Sequence, residues 1–391
     1  MRNKEYLHRK LSLDALIADS SCFLLGPRQT GKTSFIKKQL SEVPAFIINL
    51  LDQSIFYEYQ RHPGKLNEII AGKELTNALI VIDEIQLLPE LLNTVQLQIE
   101  ENNNRFLLIG SSARKLKRIG TNLLGGRART RNLHPLSASE IPDFSLEKAF
   151  YTGMLPSIYY SSLPDEDLSA YVGRYLSEEI SAESAARNIP AFSRFLEVAA
   201  CCSTQLINYS SIASDTGISR QTVTNYFQIL KDTLLGFELM PYAKTIKRKS
   251  VETSKFYLFD LGIVRFLRKL GEISPENNEF GEFFEHFIFL ELNAWKDYIS
   301  TRSEFNFWRS HKGEFEVDFI MNNIAIEVKS SNNIQKKHLA GLLALQEENI
   351  CKKYVVISRE KEKRYLTKEN IWIYPYEVFL QELWETNTFF L

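Results

Sequence analysis

Apolar and polar positions recur along this chain with two different periods, and each change of period marks an element. Near the N-terminus Leu7, Leu11, Leu13 and Leu16 stand among charged residues, a pattern that predicts a helix within 1–20. Cys22-Phe23-Leu24-Leu25 is then an unbroken apolar run, and Ser34-Phe35-Ile36-Lys37-Lys38-Gln39-Leu40 returns to helical spacing. Short apolar runs follow at Ala45-Phe46-Ile47-Ile48-Asn49-Leu50, at Leu79-Ile80-Val81-Ile82 and at Arg105-Phe106-Leu107-Leu108-Ile109. Runs of this length without alternation predict strands buried on both faces, as in a parallel sheet. Helical turns are expected over 53–75 with a break at Pro63-Gly64, and again over 143–200 with breaks at Gly153, Pro156, Pro164 and Pro190.

Farther on, Tyr209 to Phe227 has the layout of helix, turn, helix. Gly217 supplies the turn and Ser219 an N-cap. Val223, Phe227, Leu230 and Leu234 fall on one helical face, and Gln221, Thr224, Asn225 and Gln228 on the opposite one. A β-hairpin carrying Lys244, Lys247, Arg248 and Lys249 is expected next. Residues 272–278 are polar and contain Pro275, as a linker would. The helix expected over 280–298 is apolar nearly all round and should be buried. Two alternating strands follow. Phe315, Val317 and Phe319 are predicted on one face and Glu316 and Asp318 on the other; Ile324, Ile326 and Val328 oppose Glu327 and Lys329. The expected class is α/β, in three parts: 1–142 around a parallel sheet, 143–270 helical with the helix-turn-helix, and 278–391 a second α/β domain.

Composition narrows this picture. At 391 residues, 44% hydrophobic and 24% charged, the chain has the make-up of a folded multidomain protein. A net charge of -1 argues against a globally basic nucleic-acid coat. Cys22, Cys201, Cys202 and Cys351 are scattered, with no CxxC pair, which suits a reducing compartment better than a disulfide framework or a zinc site. With no signal-peptide core and no membrane-length apolar run, the expected location is the cytoplasm, with no membrane partner.

The chemistry concentrates first at Gly26-Pro27-Arg28-Gln29-Thr30-Gly31-Lys32-Thr33, a GxxxxGK[ST] loop between a strand and a helix. Its amides and the helix N-terminus that includes Ser34 would face the phosphates of ATP. Lys32 would reach the β- and γ-phosphates, and the Thr33 hydroxyl would ligate Mg²⁺. Asp83 and Glu84 end a buried strand. Asp83 would hold Mg²⁺ through water and Glu84 would activate the attacking water. Ser111, at the end of another strand with Ser112, would sense the γ-phosphate, or simply make a turn. Arg114, Lys115, Lys117, Arg118, Arg127, Arg129 and Arg131 form either a solvated basic face or the source of an arginine reaching a neighbouring subunit of a homo-oligomer.

GPRQTGKT, LIVIDEIQ, FLLIGSSARKL, GGRA and HPLSASEI together resemble the AAA-type ATPases of prokaryotes that carry a C-terminal domain of unknown function. The resemblance runs over almost the whole chain. It implies a five-stranded parallel sheet with the Ser111 strand between the P-loop strand and the Asp83 strand. It fixes no arginine finger, and the helical lid usual in such ATPases is reduced after Pro142.

Within 187–270 there are 12 Lys and Arg against 6 Asp and Glu, a local excess that fits DNA at the helix-turn-helix as a winged helix. A winged helix used for protein contacts is the alternative. In the last part, Asp318 and Glu327 would hold Mg²⁺ and Lys329 would position a water for attack on a phosphodiester. Glu285, with apolar neighbours on its helix, needs a partner such as a metal or a base. Asp318, then Glu327 and Lys329, preceded by Glu285, resemble the PD-(D/E)xK nuclease fold, the restriction-endonuclease-like core, with Val317 where its proline stands. Either a DNA-processing nuclease or an inactive binding module under ATP control satisfies the pattern. A P-loop kinase fits less well, because Glu84 supplies a hydrolytic acid.

Overall fold

The apolar runs become strands of two sheets in the computed structural model, which describes residues 6–111, 114, 123–176, 188–299 and 304–390. Two compact units result. One runs to Leu136 and takes in Asp232–Leu235; the other comprises Ser137–Lys231 and Gly236–Leu391.

In the first unit β1 (Ser21–Leu25), β2 (Ala45–Asn49), β3 (Leu79–Asp83), β4 (Arg105–Gly110) and β5 (Ala128–Asn132) form one sheet in the order β2-β3-β4-β1-β5. Every neighbouring pair is parallel. β4, which leads to Ser111, lies between β1 and β3, as the resemblance implied. β1 and β3 are buried at every position. Phe23, Ile80, Ile82, Phe106 and Leu108 pack with Leu66 and Ile70 of helix Lys65–Gly72 and with Leu91 and Val95 of helix Leu91–Asn102. Each such side chain contributes about 2 kcal/mol by leaving water. Helices Gln53–Arg61 and Lys65–Gly72 part at Pro63-Gly64, where the sequence placed the break.

One expectation fails here. Only Asp14–Ile17 is helical among the described residues of the first twenty. Arg9 explains the different path. Its guanidinium donates to the carbonyls of Thr30 at 2.7 Å, His134 at 2.6 Å and Pro135 at 3.2 Å, which draws the segment along the loops at the sheet edge. Leu11, Leu13 and Leu16 are buried without a shared helical face.

In the second unit β6 (Gly236–Pro241), β7 (Lys255–Leu258), β8 (Phe305–Arg309), β9 (Glu316–Met321), β10 (Ile324–Lys329), β11 (Lys353–Ser358), β12 (Arg364–Leu366) and β13 (Ile371–Pro375) make one mixed sheet, ordered β12-β13-β11-β10-β9-β8-β6-β7. The hairpin after the helix-turn-helix is thus part of the same sheet as the C-terminal strands, through the parallel pairing of β6 with β8. Upstream, the prolines sit in the first turns of helices Pro156–Tyr159, Pro164–Ala170 and Ile189–Cys201, where a missing N–H costs nothing. Gly153 has φ 75°, and a Cβ there would lie 2.0 Å from the Asp260 carboxylate. That buried carboxylate accepts from the amides of Met154 and Ile263, and burial lifts its pKa to about 6.

Helices Tyr209–Thr216 and Arg220–Asp232 meet at Gly217, φ 68°. Ser219 Oγ caps the second by accepting from Thr222 N at 3.1 Å. Val223, Phe227 and Leu230 are buried, and Gln221, Thr224, Asn225 and Gln228 are exposed. Leu234 does not extend the buried stripe, because the helix stops at Asp232 and Leu234 has φ 60°. Helix Phe280–Ile299 is buried on nearly all sides, as expected.

Two further expectations need correction. The basic loop after β6 does not project as a wing. The Glu348 carboxylate accepts from the amides of Ile246 at 2.7 Å, Lys247 at 2.9 Å and Arg248 at 2.9 Å, and Arg248 pairs with Glu347. Charge-assisted bonds of this kind hold the loop down. Phe319 also leaves the face predicted for it. The β8–β9 register shifts between Asn306 and Trp308, and a bulge of this kind re-aims the side chains around it. Val317 packs with Trp308 and Leu342. The Phe319 ring instead lies near those of Tyr257, Phe289 and Phe305.

Candidate functional site

The loop after β1 turns through Gln29, φ 61°, and Gly31, φ 89°, before helix Lys32–Gln39 begins. Thr30 Oγ1 donates to Pro27 O at 2.8 Å and stiffens the turn. Gly26 is pinned by close approach, since a Cβ there would lie 2.4 Å from Leu133 O. Lys32 is buried, and its ammonium donates to Gly26 O at 2.6 Å and Pro27 O at 2.9 Å. Arg28, Gln29, Thr33 and Ser34 are exposed around it.

Asp83 ends β3, and its Oδ1 accepts from Glu84 N at 3.0 Å. Burial and the Glu84 charge raise the Asp83 pKa, while Lys32 pulls it back. Glu84 does not continue the strand; with φ 59° it begins a turn. Its carboxylate accepts from Gln86 Nε2, which also reaches Ser111 Oγ at 3.1 Å. One amide therefore ties the strand-end acid of β3 to the hydroxyl after β4. Gly110 leaves room for it, as a Cβ there would come within 2.6 Å of Gln86 Oε1. The sequence pattern assigned Gln86 no role. Its one signal was a polar residue in an otherwise apolar turn.

Lys32, Thr33, Asp83, Glu84 and Ser111 all lie at the carboxyl ends of adjacent parallel strands, where such sheets bind ligands. An ammonium, an exposed hydroxyl at a helix N-terminus and a buried carboxylate are a donor set that fits a magnesium-bound triphosphate. Of the basic candidates, Arg127 pairs with Glu100 at 2.8 Å, and Arg129 and Arg131 lie on β5. Lys115, Lys117 and Arg118, like Ser112, fall outside the described residues.

The second constellation forms in the other unit. The antiparallel pairing of β9 with β10 brings Asp318, Glu327 and Lys329 together. Asp318 Oδ2 accepts from Val328 N at 2.8 Å, and Lys329 pairs with Glu327. Glu285, from helix Phe280–Ile299, joins them through a residue that the sequence pattern placed only in a basic patch. Lys255, the first residue of β7, is 3% exposed. Its Nζ stands 3.0 Å from Glu285 Oε1, 2.6 Å from Glu316 Oε1 and 3.8 Å from Asp318 Oδ1. Tyr257 OH donates to Glu285 at 2.8 Å. A lysine inside an apolar strand was the available signal, for a buried ammonium requires partners.

Burial works to lower the Lys255 pKa, but Glu285, Tyr257, Asp318 and Glu316 hold it well above the ordinary value. Burial raises Glu285 to about 7 against the pull of Lys255. Glu327 is pushed well up by burial and by Asp318, and its Oε2 is buried without a hydrogen-bond partner. Among the described residues no group of three or more His, Cys, Asp or Glu is arranged to hold a metal ion. Lys255 Nζ stands 3.8 Å from Asp318 Oδ1 and Lys329 pairs with Glu327, so each residue predicted to bind Mg²⁺ here has a cationic side chain beside it.

Part of the local basic excess is paired with acids of the same unit, while Arg194, Arg220, Lys244, Lys247, Lys249 and Lys269 stay exposed. Lys231 pairs with Glu238, Lys244 with Glu304, Arg248 with Glu347, Arg265 with Asp165, and Arg268 with Glu282. Most of these acids lie outside the window in which the excess was counted.

Three family models match the chain. An AAA domain covers 18–142, a domain of unknown function (DUF8612) covers 143–274, and a second (DUF4143) covers 280–379. Residues 18–142 form a P-loop ATPase domain of the AAA type. An uncharacterized protein of Mycobacterium tuberculosis and one of Mycobacterium bovis are each 23% identical over 339 residues, spanning 83% of this chain and 74% of theirs. The Walker-type ATPase of Pyrococcus abyssi overlays 68% of this chain and 97% of its own at 15% identity and TM-score 0.47. A signal-transduction ATPase with numerous domains and a tetratricopeptide repeat sensor, from Pyrococcus horikoshii, covers 78% of this chain and 49% of its own at 16% identity and TM-score 0.25. Likeness at those scores fixes the role of no individual residue in this chain. Among the described residues no helix is long and apolar enough to cross a membrane.

Proposed function

We propose that this protein is an ATP-hydrolysing switch, with 1–142 as the ATPase, 143–270 contacting DNA through its helix-turn-helix and 278–391 a nuclease-like fold that does not cut. The convergence of Lys32, Asp83, Glu84 and Ser111 on one edge of a parallel sheet carries the reading. Lys32 and the loop amides from Arg28 to Ser34 would bind the triphosphate, while Thr33, and Asp83 through water, would hold Mg²⁺, whose charge neutralises the phosphates. Glu84 orients a water and takes its proton; Gln86 and Ser111 keep Glu84 in place. The exposed Gln221, Thr224, Asn225 and Gln228 are side chains suited to base edges. The free thiols of Cys22, Cys201, Cys202 and Cys351 fit the cytoplasm. A homo-oligomer would bring an arginine from a second copy to the phosphates.

Phosphate release from ATP tests the first part. Glu84→Gln should keep nucleotide binding and lose turnover, and Lys32→Ala should lose both. Undiminished turnover in Lys32→Ala would sink it. The rival reading, an ATP-gated nuclease, draws on the meeting of Asp318, Glu327 and Lys329. Nicking of supercoiled DNA with Mg²⁺ that disappears in Asp318→Ala would favour it.

A further inference from the structure

Three acids that a metal-dependent phosphodiesterase would need, Glu285, Asp318 and Glu327, are together in the second unit, yet each has one oxygen engaged by the protein itself, and Glu327 Oε2 is left buried without a hydrogen-bond partner. Lys255 takes Glu285 and Glu316 at 3.0 and 2.6 Å and lies 3.8 Å from Asp318 Oδ1. The other Asp318 oxygen accepts a backbone amide of β10. Tyr257, two residues along β7, occupies Glu285; Arg309 lies 3.4 Å from Glu316 Oε2, and Lys329 binds Glu327.

A divalent ion demands carboxylate oxygens at about 2.0–2.6 Å around one point. The Lys255 ammonium stands against Glu285 and Glu316 and 3.8 Å from Asp318 Oδ1, beside any such point, where it repels a second cation. Moving it away would leave Glu285 and Glu316 buried without their cation. The backbone of Lys255 is registered opposite Leu239 in β6 and bridged to Leu206. Its side chain is sealed from water, so solvent does not screen its repulsion of a second cation.

We propose that Lys255 is a built-in substitute for the divalent cation: it neutralises the carboxylate cluster of Glu285, Glu316 and Asp318, shuts metal out, and uses that charge to join β7 to helix Phe280–Ile299 and β9. The cluster becomes an electrostatic joint between the strand after the helix-turn-helix and the C-terminal core. Removing the ammonium should turn the joint into a metal site held by Glu285, Asp318 and Glu327.

The test uses the full chain without nucleotide and Mn²⁺ as the probe, read by electron paramagnetic resonance and by the thermal unfolding midpoint. The parent protein should show no Mn²⁺ binding that depends on Asp318. Lys255→Met should gain Mn²⁺ affinity by on the order of 10-fold or more, and Mn²⁺ should raise its unfolding midpoint. Adding Asp318→Asn should erase both effects. Where Lys255→Met does not fold, Lys255→Met/Glu285→Gln removes one charge of each sign and keeps Asp318 and Glu327 for the ion. Mn²⁺ bound by the parent and lost in Asp318→Asn would overturn the proposal. So would a folded Lys255 variant indifferent to Mn²⁺. The inference rests on the non-cutting reading, and the outcomes separate the two. Mg²⁺-dependent cleavage by the parent defeats both, whereas no cleavage and no Mn²⁺ gain in the variant defeats only this one.

Discussion

Lys32 and Lys255 are both buried, 7% and 3% exposed, and they differ in the atoms that receive their protons. Lys32 donates to the carbonyls of Gly26 and Pro27, Lys255 to the carboxylates of Glu285 and Glu316. A carbonyl carries only a partial charge, so a triphosphate competes with it easily. A desolvated carboxylate does not give up its ammonium without leaving an uncompensated charge. The surroundings match. Around Lys32 stand an exposed helix N-terminus and strand ends; around Lys255 stand apolar rings and the faces of sheet and helix. One lysine is kept ready for a guest, and the other already has its partners.

The strongest way to break this comparison is to delete the first lysine. Lys32→Ala should reduce ATP turnover by on the order of 10²–10³, read as phosphate release, with the urea midpoint little changed. Deleting the second should do the reverse. Lys255→Met should cost about 3–5 kcal/mol of stability by urea unfolding and leave nucleotide binding intact.

A buried acid held by two neutral donors sharpens the point. Glu291 accepts from Ala138 N at 2.8 Å and Trp384 Nε1 at 2.6 Å, and burial outweighs both donors and lifts its pKa to about 8. The folded protein therefore holds a proton there that the unfolded chain releases near the ordinary carboxylate value. Stability from this site is full below that value and is lost as pH rises to about 8. Glu291→Gln should flatten that slope in urea midpoints taken on either side of neutrality.

A smaller effect is expected at Gln86→Ala, roughly a tenfold loss of turnover with ATP affinity kept, since Glu84 would lose its orienting amide. The smallest concerns Asn225→Ala. Stability should stay within about 0.5 kcal/mol, as for an exposed position, while DNA affinity measured by fluorescence anisotropy should fall. Unchanged affinity would remove that helix from the DNA reading.

The nucleotide half was legible because its information is local. A strand, a glycine loop and a helix are contiguous, and unalternating apolar runs announce a parallel sheet whose strand ends carry Asp83 and Ser111. The resemblance then supplied the position of β4. The second half was legible in its elements, the helix-turn-helix, helix Phe280–Ile299 and the β9–β10 pair, but not in its charge balance. Lys255 precedes its partners Glu285, Glu316 and Asp318 by tens of residues, and no periodicity links them. The excess of Lys and Arg over 187–270 overstates the free positive charge, because Glu304, Glu347, Asp165 and Glu282, which pair with four of these side chains, lie outside that stretch. Phe319 was assigned to the wrong face because alternation assumes an unbroken ladder, and the register shift beside Asn306 and Trp308 breaks it. Arg9 likewise overrode the helical spacing of the first twenty residues through three carbonyls from distant loops.

The pairing of β6 with β8 has a practical consequence for anyone who would take the C-terminal half apart. The peptide between helices Leu261–Leu267 and Phe280–Ile299 reads as a tether, and a protease would find it. Cutting it should not release two particles. The fragments would stay riveted by a backbone ladder and by Lys255, migrate together on gel filtration, and come apart only in denaturant.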